Sequence, residues 1–265
     1  MNPFRIAIHG AAGRMGQRLV ALAAADDELC LVAAVESANH PRLGEDAGMV
    51  AGAGQLGLPL SAKLDADADV VIDFSVAEAV DGILEICQQR SLPLVVATTA
   101  LSPGQIEALR ATAERIPLLW APNMSLAVNL TMKLAQVAAE ALRDKDADVE
   151  IIERHHRFKE DSPSGTALKF GQIISEAMGQ TRHSHGRQGR LGQRPHDEIG
   201  YHAIRSGDNP GEHTIVFGML GETVELAVRA TNRDCYASGA LAAAKFLAGK
   251  PAGMYGMDDV LGLRE

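Results

Sequence analysis

From the amino end, short apolar runs alternate with stretches whose apolar residues recur every three to four positions. Phe4-Arg5-Ile6-Ala7-Ile8 predicts a strand, Gln17 to Ala25 a helix, and Leu29 to Val35 a second strand. Residues 37 to 67 show no period and read as loop with one short helix. Ala68 to Phe74 is almost continuously apolar, as a parallel strand buried on both faces must be, and Glu78 to Arg90 follows as a helix. Leu94 to Ala97 and Pro117 to Ala121 predict two more strands. The helix between them, Pro103 to Arg115, starts with Ser102, a first-turn proline and Gln105 in capping-box spacing.

A long helix, Leu126 to Arg143, then leads to a different pattern. After a strand from Val149 to Glu153, the segments Ile199 to Arg205, His213 to Phe217 and Glu222 to Ala230 alternate polar and apolar residues, which predicts a mixed or antiparallel sheet with one face less buried. The cluster from Arg205 to Glu212 joins two of these strands as a turn, and Tyr236 to Leu247 closes the chain with an Ala-rich helix and a short tail. The expected fold is α/β: an N-terminal Rossmann-like parallel sheet with an inserted α+β domain. The expected boundaries are 1–126 plus 236–265 for the first domain and 127–235 for the second.

Two stretches carry candidate chemistry. The first strand runs straight into His9-Gly10-Ala11-Ala12-Gly13-Arg14-Met15-Gly16 and a helix, the order in which dinucleotide folds place a pyrophosphate on a helix start. The spacing is GxxGxxG, and glycines also occur in tight turns for steric reasons alone. Glu36, twenty residues after Gly16 and at the end of the next strand, adds an acid placed to meet ribose hydroxyls.

The second stretch is Glu150 to Leu168, which sets His155, His156, Arg157 and Lys159 within five residues and follows them with Ser164-Gly165-Thr166 at the head of an apolar periodic run. His155 and Lys159 are candidate general acids, and the helix start at Gly165 and Thr166 would attract an anion. A solvated basic loop ahead of an ordinary helix cap fits the same residues.

Composition narrows the choice. A net charge of −9 argues against nucleic acid as a partner and leaves small anions for the local cationic clusters. Three dispersed cysteines, Cys30, Cys87 and Cys235, suit a reducing compartment, and the histidines lack metal-site spacing. No apolar run approaches membrane-spanning length and no signal peptide precedes the first strand, so the expected location is the cytoplasm. Thr181 to Arg194, rich in Arg, Gly and His, reads as a solvated loop or as a mobile lid over an anionic ligand.

Together these motifs resemble those of the dihydrodipicolinate reductases, also called 4-hydroxy-tetrahydrodipicolinate reductases, of the diaminopimelate route to lysine. The resemblance runs over essentially the whole chain: GAAGRMG at Gly10 to Gly16, Glu36, DFS at Asp73 to Ser75, APNMS at Ala121 to Ser125, EIIERHHRFKEDSPSGTAL, RxGxxGxR at Arg187 to Arg194, and IGYHAIRSGDNPGEH at Ile199 to His213. It implies an NADH- or NADPH-dependent oxidoreductase whose cofactor contacts Gly10, Ala11, Ala12, Gly13, Arg14, Met15, Glu36, Ala97, Thr98, Thr99, Ala121, Pro122, Asn123 and Met124. It further implies a cyclic dicarboxylate substrate, with one carboxylate on Gly165 and Thr166, the ring held by His156, and protons supplied by His155 and Lys159. In the family the ring loses water, takes hydride at the carbon that carried the hydroxyl, and is then protonated on carbon. The resemblance also makes the second domain the substrate-binding and homotetramer-forming one, and no metal is implied.

Two positions depart from the family pattern. Ser37 stands where many members carry an arginine able to meet a 2′-phosphate, so the choice between NADH and NADPH stays open, with His9, Arg14, His40 or Arg42 as other sources of charge. The usual GTTG loop reads Ala97-Thr98-Thr99-Ala100, and an alanine there is strained wherever the backbone needs a positive φ. Other readings are a two-domain dehydrogenase acting on a semialdehyde or aspartate, and a dinucleotide sensor without chemistry.

Overall fold

A computed structural model describes residues 3–264. Its elements in chain order are β1 (Phe4–His9), α1 (Arg14–Ala24), β2 (Leu29–Val35), α2 (Ala47–Ala51), β3 (Leu60–Ser61), β4 (Val70–Asp73), α3 (Ala77–Arg90), β5 (Leu94–Val96), α4 (Pro103–Ala113) and β6 (Pro117–Trp120). There follow α5 (Leu126–Leu142), β7 (Asp148–His155), α6 (Gly165–Met178), β8 (Arg182–His185), β9 (Glu198–Arg205), β10 (Glu212–Met219), β11 (Glu222–Arg229), α7 (Asp234–Leu247), β12 (Gly253–Tyr255) and α8 (Met257–Val260). The chain divides into two compact units, Met1–Leu126 with Arg233–Glu265, and Ala127–Asn232.

Among the described residues the first unit holds one seven-stranded sheet, in the order β12-β6-β5-β4-β1-β2-β3, and every pairing in it is parallel. Its strands are buried on both faces because alternate side chains feed two cores. Ile6, Ile8, Ile72, Val95 and Leu119 pack under α1 and α7, while Ala7, Val71, Leu94, Val96 and Leu118 pack under α3 and α4. The return of α7 to this unit follows from its alanines: Ala237, Ala240, Ala243 and Ala244 are buried on the first core, and Asp234 binds the Arg18 guanidinium of α1 at 2.6 and 2.9 Å. The tail after α7 is structured, adding β12 beside β6.

The second unit is a five-stranded sheet, ordered β11-β10-β7-β9-β8, with β7-β9 and β8-β9 parallel and β10 antiparallel to both its neighbours. The turn cluster joins β9 to β10, which are separated in the sheet by β7. One face is covered by α5 and α6 over Val149, Ile151, Ile199, Tyr201, Ile215 and Phe217. The other face is half-buried and polar. There Glu150 accepts from Arg187 at 2.7 and 3.0 Å, from Arg194 at 2.9 Å and shares a hydrogen bond with His202 at 2.7 Å. Burial alone would raise the Glu150 pKa, but Arg187, His202 and Arg194 bring it down to about 2.

This corrects the reading of Thr181 to Arg194 in part: residues 186–194 are irregular and mostly exposed, as a solvated loop would be, but the stretch before them is not. Residues 182–185 form β8, the third strand of this sheet with a parallel pairing, and the arginines after it are taken up by carboxylates: Arg187 by Glu150 and Glu198, Arg194 by Asp148 and Glu150. Arginines so engaged belong to the sheet and do not form a lid.

Phe170 of α6 is fully buried at the centre of the second unit's core. Phe170→Ala is expected to cost about 3–5 kcal/mol through lost transfer energy and the cavity left behind. Equilibrium urea unfolding followed by circular dichroism should show a lower midpoint.

Candidate active site

In the first unit the sheet order reverses direction between β1 and β4, and ligands of open α/β sheets bind beside the carboxyl ends of the strands at such a point. Here that edge is tied together by one buried carboxylate. Asp73, fully buried at the end of β4, meets His9 Nδ1 at 2.7 Å and accepts from Ser75 Oγ and Thr98 Oγ1, each at 2.6 Å. Strand ends β1, β4 and β5 are thus held in one register.

The glycine turn leaves no room for side chains where the backbone doubles back. Gly10 has φ +81°, and a Cβ there would sit 2.6 Å from the Phe74 carbonyl oxygen; one on Gly16 would sit 2.0 Å from the Gly10 oxygen. Gly13 caps α1 without a side chain, and the first turn of α1 contains no acid. Its amide groups therefore suit a phosphate. Glu36 reaches the same turn, accepting from the Ala12 amide at 2.9 Å and from the Ser37 amide at 3.1 Å. Ala11, Arg14 and Met15 lie on this turn and helix start. The residues present thus fit the pyrophosphate and ribose of a dinucleotide.

Ala97, Thr98 and Thr99 follow β5, and Ala121, Pro122, Asn123 and Met124 follow β6, so both segments lie at the same carboxyl edge. Of Ala97 and Ala100, only Ala100 has a positive φ, at 59°. Of the four cationic groups considered for a 2′-phosphate, His9 is bound to Asp73, Arg42 is paired with Glu45, and the His40 ring accepts the Arg42 amide. Arg14, exposed on the first turn of α1, makes no ion pair among the described residues.

In the second unit the candidate residues collect at one end of the helix-covered sheet face. Strand alternation puts Glu153 and His155 of β7 on the face that carries Val149 and Ile151. Register places His213 of β10 opposite Glu153, and Arg205 of β9 opposite His155. His155 therefore ends a strand and is 8% exposed, where sequence pattern had put it in the loop. The strand continues because β9 and β10 pair with it on both sides.

The carboxylate of Glu153, 1% exposed, accepts from both Arg205 terminal nitrogens at 2.7 Å, from the Ser164 amide at 3.0 Å, and faces His155 Nδ1 at 2.6 Å. Burial would raise its pKa, but Arg205, His155 and the Ser164 amide hold it below the ordinary glutamate value. Burial lowers the pKa of His155; Glu153 opposes that, while the Lys159 and Arg205 charges add to it. His213 is pushed down to about 4 by burial and by neighbouring His155. Both imidazoles are therefore neutral near pH 7.

Ser164 caps α6, its Oγ accepting from the Ala167 amide at 3.2 Å and sharing a hydrogen bond with His213 Nε2 at 3.1 Å. Gly165 and Thr166 open the helix just beyond. In the loop after β7, Lys159 Nζ lies 2.7 Å from Asp161, and His156 has a buried Nδ1 with no hydrogen-bond partner among the described residues. Glu153, Arg205 and His213 carry no site role in the sequence reading, which has Ser164 only as part of the helix start; the i, i+2 spacing of Glu153 and His155 on an alternating strand is the available sign.

A nucleotide-fitted parallel sheet, with proton carriers and a capped helix start in a separate mixed-sheet unit, puts the chain among the two-domain nicotinamide-dependent oxidoreductases. Residues 4–124 match the family model described as dihydrodipicolinate reductase, N-terminus, and residues 127–261 the one described as dihydrodipicolinate reductase, C-terminus. The chain is 56% identical to the 4-hydroxy-tetrahydrodipicolinate reductase of Rhodopirellula baltica, with 100% of this chain and 98% of that protein covered. It is 48% identical to that of Alkalilimnicola ehrlichii, over 98% and 99%. Among solved structures, the dipicolinate-bound dihydrodipicolinate reductase from Paenisporosarcina sp. TG-14 has a TM-score of 0.76 at 25% identity, over 96% of this chain and 97% of that one. An amine dehydrogenase from Mycobacterium smegmatis shares the fold at a TM-score of 0.64 and 13% identity, over 96% and 95%. The chain belongs to the dihydrodipicolinate reductase family.

A non-glycine residue in left-handed conformation costs about 1–2 kcal/mol. Ala100→Gly removes that strain against a smaller loss from the freer unfolded chain. A rise of about 1–3 °C in melting temperature is expected by scanning calorimetry.

Proposed function

We infer that the chain catalyses the NAD(P)H-dependent reduction of 4-hydroxy-tetrahydrodipicolinate to tetrahydrodipicolinate with loss of water, in the diaminopimelate route to lysine. The observation that carries the reading is that the proton-bearing His155 and the α6 start at Ser164 are joined through one carboxylate, Glu153, at 2.6 and 3.0 Å. A dicarboxylate ring needs both: an anion cradle and a proton source beside it.

The nicotinamide cofactor, when bound at the glycine turn and Glu36, supplies the hydride. Gly165 and Thr166 at the head of α6 receive one substrate carboxylate through amide and hydroxyl donors, which fixes the ring in place. His156, with its buried Nδ1 open to a partner, helps hold the ring. Lys159 gives the proton to ring carbon after hydride addition. Its ammonium is kept near the site by Asp161 at 2.7 Å. His155, neutral near pH 7, orders the same region and exchanges protons with it.

The enzyme is read as a homotetramer formed through the second unit, in which β11 is a largely exposed edge strand. The cytoplasm is its proposed location: Cys30, Cys87 and Cys235 are all free thiols. No described helix is long and apolar enough to cross a membrane.

Steady-state kinetics on the cyclic imine made from pyruvate and aspartate semialdehyde test the reading. Lys159→Ala should lower kcat by about 10²-fold or more with the cofactor KM unchanged, because a general acid acts in the transition state. A change confined to substrate KM would make Lys159 a binding group only. Ser37→Arg should raise the ratio of kcat/KM for NADPH over NADH, and an unmoved ratio would mean that Ser37 does not face the ribose.

A further inference from the structure

Beyond the proton carriers themselves, we propose that Glu153 is the positioning residue of this site, orienting the His155 imidazole with Nδ1 bearing the proton and Nε2 left for the substrate, while anchoring the helix start that receives the substrate carboxylate. The proposal rests on the function inferred above.

All four oxygen lone-pair positions of Glu153 are used: Oε2 by His155 Nδ1 and one Arg205 nitrogen, Oε1 by the other Arg205 nitrogen and the Ser164 amide. A carboxylate in that setting accepts only, so the nitrogen 2.6 Å away must donate. Nδ1–H follows, and in a neutral ring Nε2 is then an acceptor. The groups that face His155 are accounted for: Glu153 on its own strand, Arg205 on β9, His213 on β10 with ring centroids 5.3 Å away, and Lys159 on the following loop. Glu153 alone among them raises the His155 pKa; burial and the cationic neighbours lower it.

Burial at 1% exposure would be an expensive place for a carboxylate whose only task was structural, since an apolar residue could fill the same strand position. The bidentate Arg205 clamp neutralises it and keeps its oxygens in the plane that the imidazole and the Ser164 amide require. Histidines in other active sites are oriented through a carboxylate on the far ring nitrogen by the same logic. A one-residue slip of β7 would turn both Glu153 and His155 to the opposite face. The strand register and the site chemistry are therefore one constraint.

The test is the ring-nitrogen chemical shifts of ¹⁵N-histidine-labelled enzyme, assigned with His155→Ala. In the wild type, His155 should be the Nδ1–H tautomer; an Nε2–H tautomer overturns the proposal, whatever happens to the variants. Glu153→Gln keeps the shape and removes the charge, so the His155 titration should move to lower pH, and an unmoved or raised titration would also overturn it. In kinetics Glu153→Gln should lower kcat on the order of 10²-fold with the cofactor KM unchanged. In a His155→Ala background the same change should cost no more than about twofold, and an equal loss in both backgrounds would make Glu153 a fold residue only. Wild-type turnover is scored separately: an active enzyme with the wrong tautomer sinks the positioning role alone, and an inactive one with the right tautomer sinks the assigned reaction alone.

Discussion

The buried carboxylate of Glu153 sets the terms for the second unit. It lies on the covered face of the mixed sheet and ties together β7, β9 and the start of α6 through His155, Arg205 and the Ser164 amide. Four hydrogen bonds, two of them from the bidentate Arg205 cation, offset the desolvation of its charge. The packing below it is what makes the arrangement firm. Val149, Ile151, Ile215 and Phe217 continue the same face into a core closed by Phe170 and Ile174 of α6. Helix α6, whose amino end is proposed to receive an anion, is therefore held by apolar packing along its length and by Glu153 at its head.

Asp73 plays the corresponding part in the first unit. It joins the ends of β1, β4 and β5 where the sheet reverses its strand order, and the glycine turn closes over the same edge. In each unit a polar network thus interrupts an otherwise apolar face where the candidate site residues gather. Among the described residues, left-handed backbone outside glycine occurs at Ser91, Ala100 and Asp146, and Ala100 is the one that follows β5 at the carboxyl edge of the parallel sheet. The stability lost there is small beside the core, which explains how the alanine is tolerated.

Much of this was legible in the sequence. Buried parallel strands announce themselves by apolar runs, and β2 was placed at Leu29–Val35 to the residue, with β1, β4, β5 and β6 within two residues at either end. The glycine turn is legible from residue type and order, as is the cationic run from His155 to Lys159, although His155 ends β7 and only the residues after it form the loop. The parts that escaped have physical reasons. Arg182–His185 has no apolar side chain to mark it and exists as a strand because β9 offers a pairing edge. Leu60–Ser61 and Gly253–Tyr255 are too short to show a period. The Glu153 network depends on His213 lying opposite Glu153 and Arg205 opposite His155, contacts made across about fifty to sixty residues of chain and fixed only by sheet register.

The most direct measurement follows the hydride. The enzyme is given a nicotinamide cofactor deuterated at the transferable position together with the cyclic imine from pyruvate and aspartate semialdehyde, and the product is examined by mass spectrometry and NMR. The expected product has lost the hydroxyl oxygen and carries the cofactor's deuterium on the ring carbon that bore it. A product that keeps the oxygen, or one without deuterium, would contradict a dehydrating reduction by this chain.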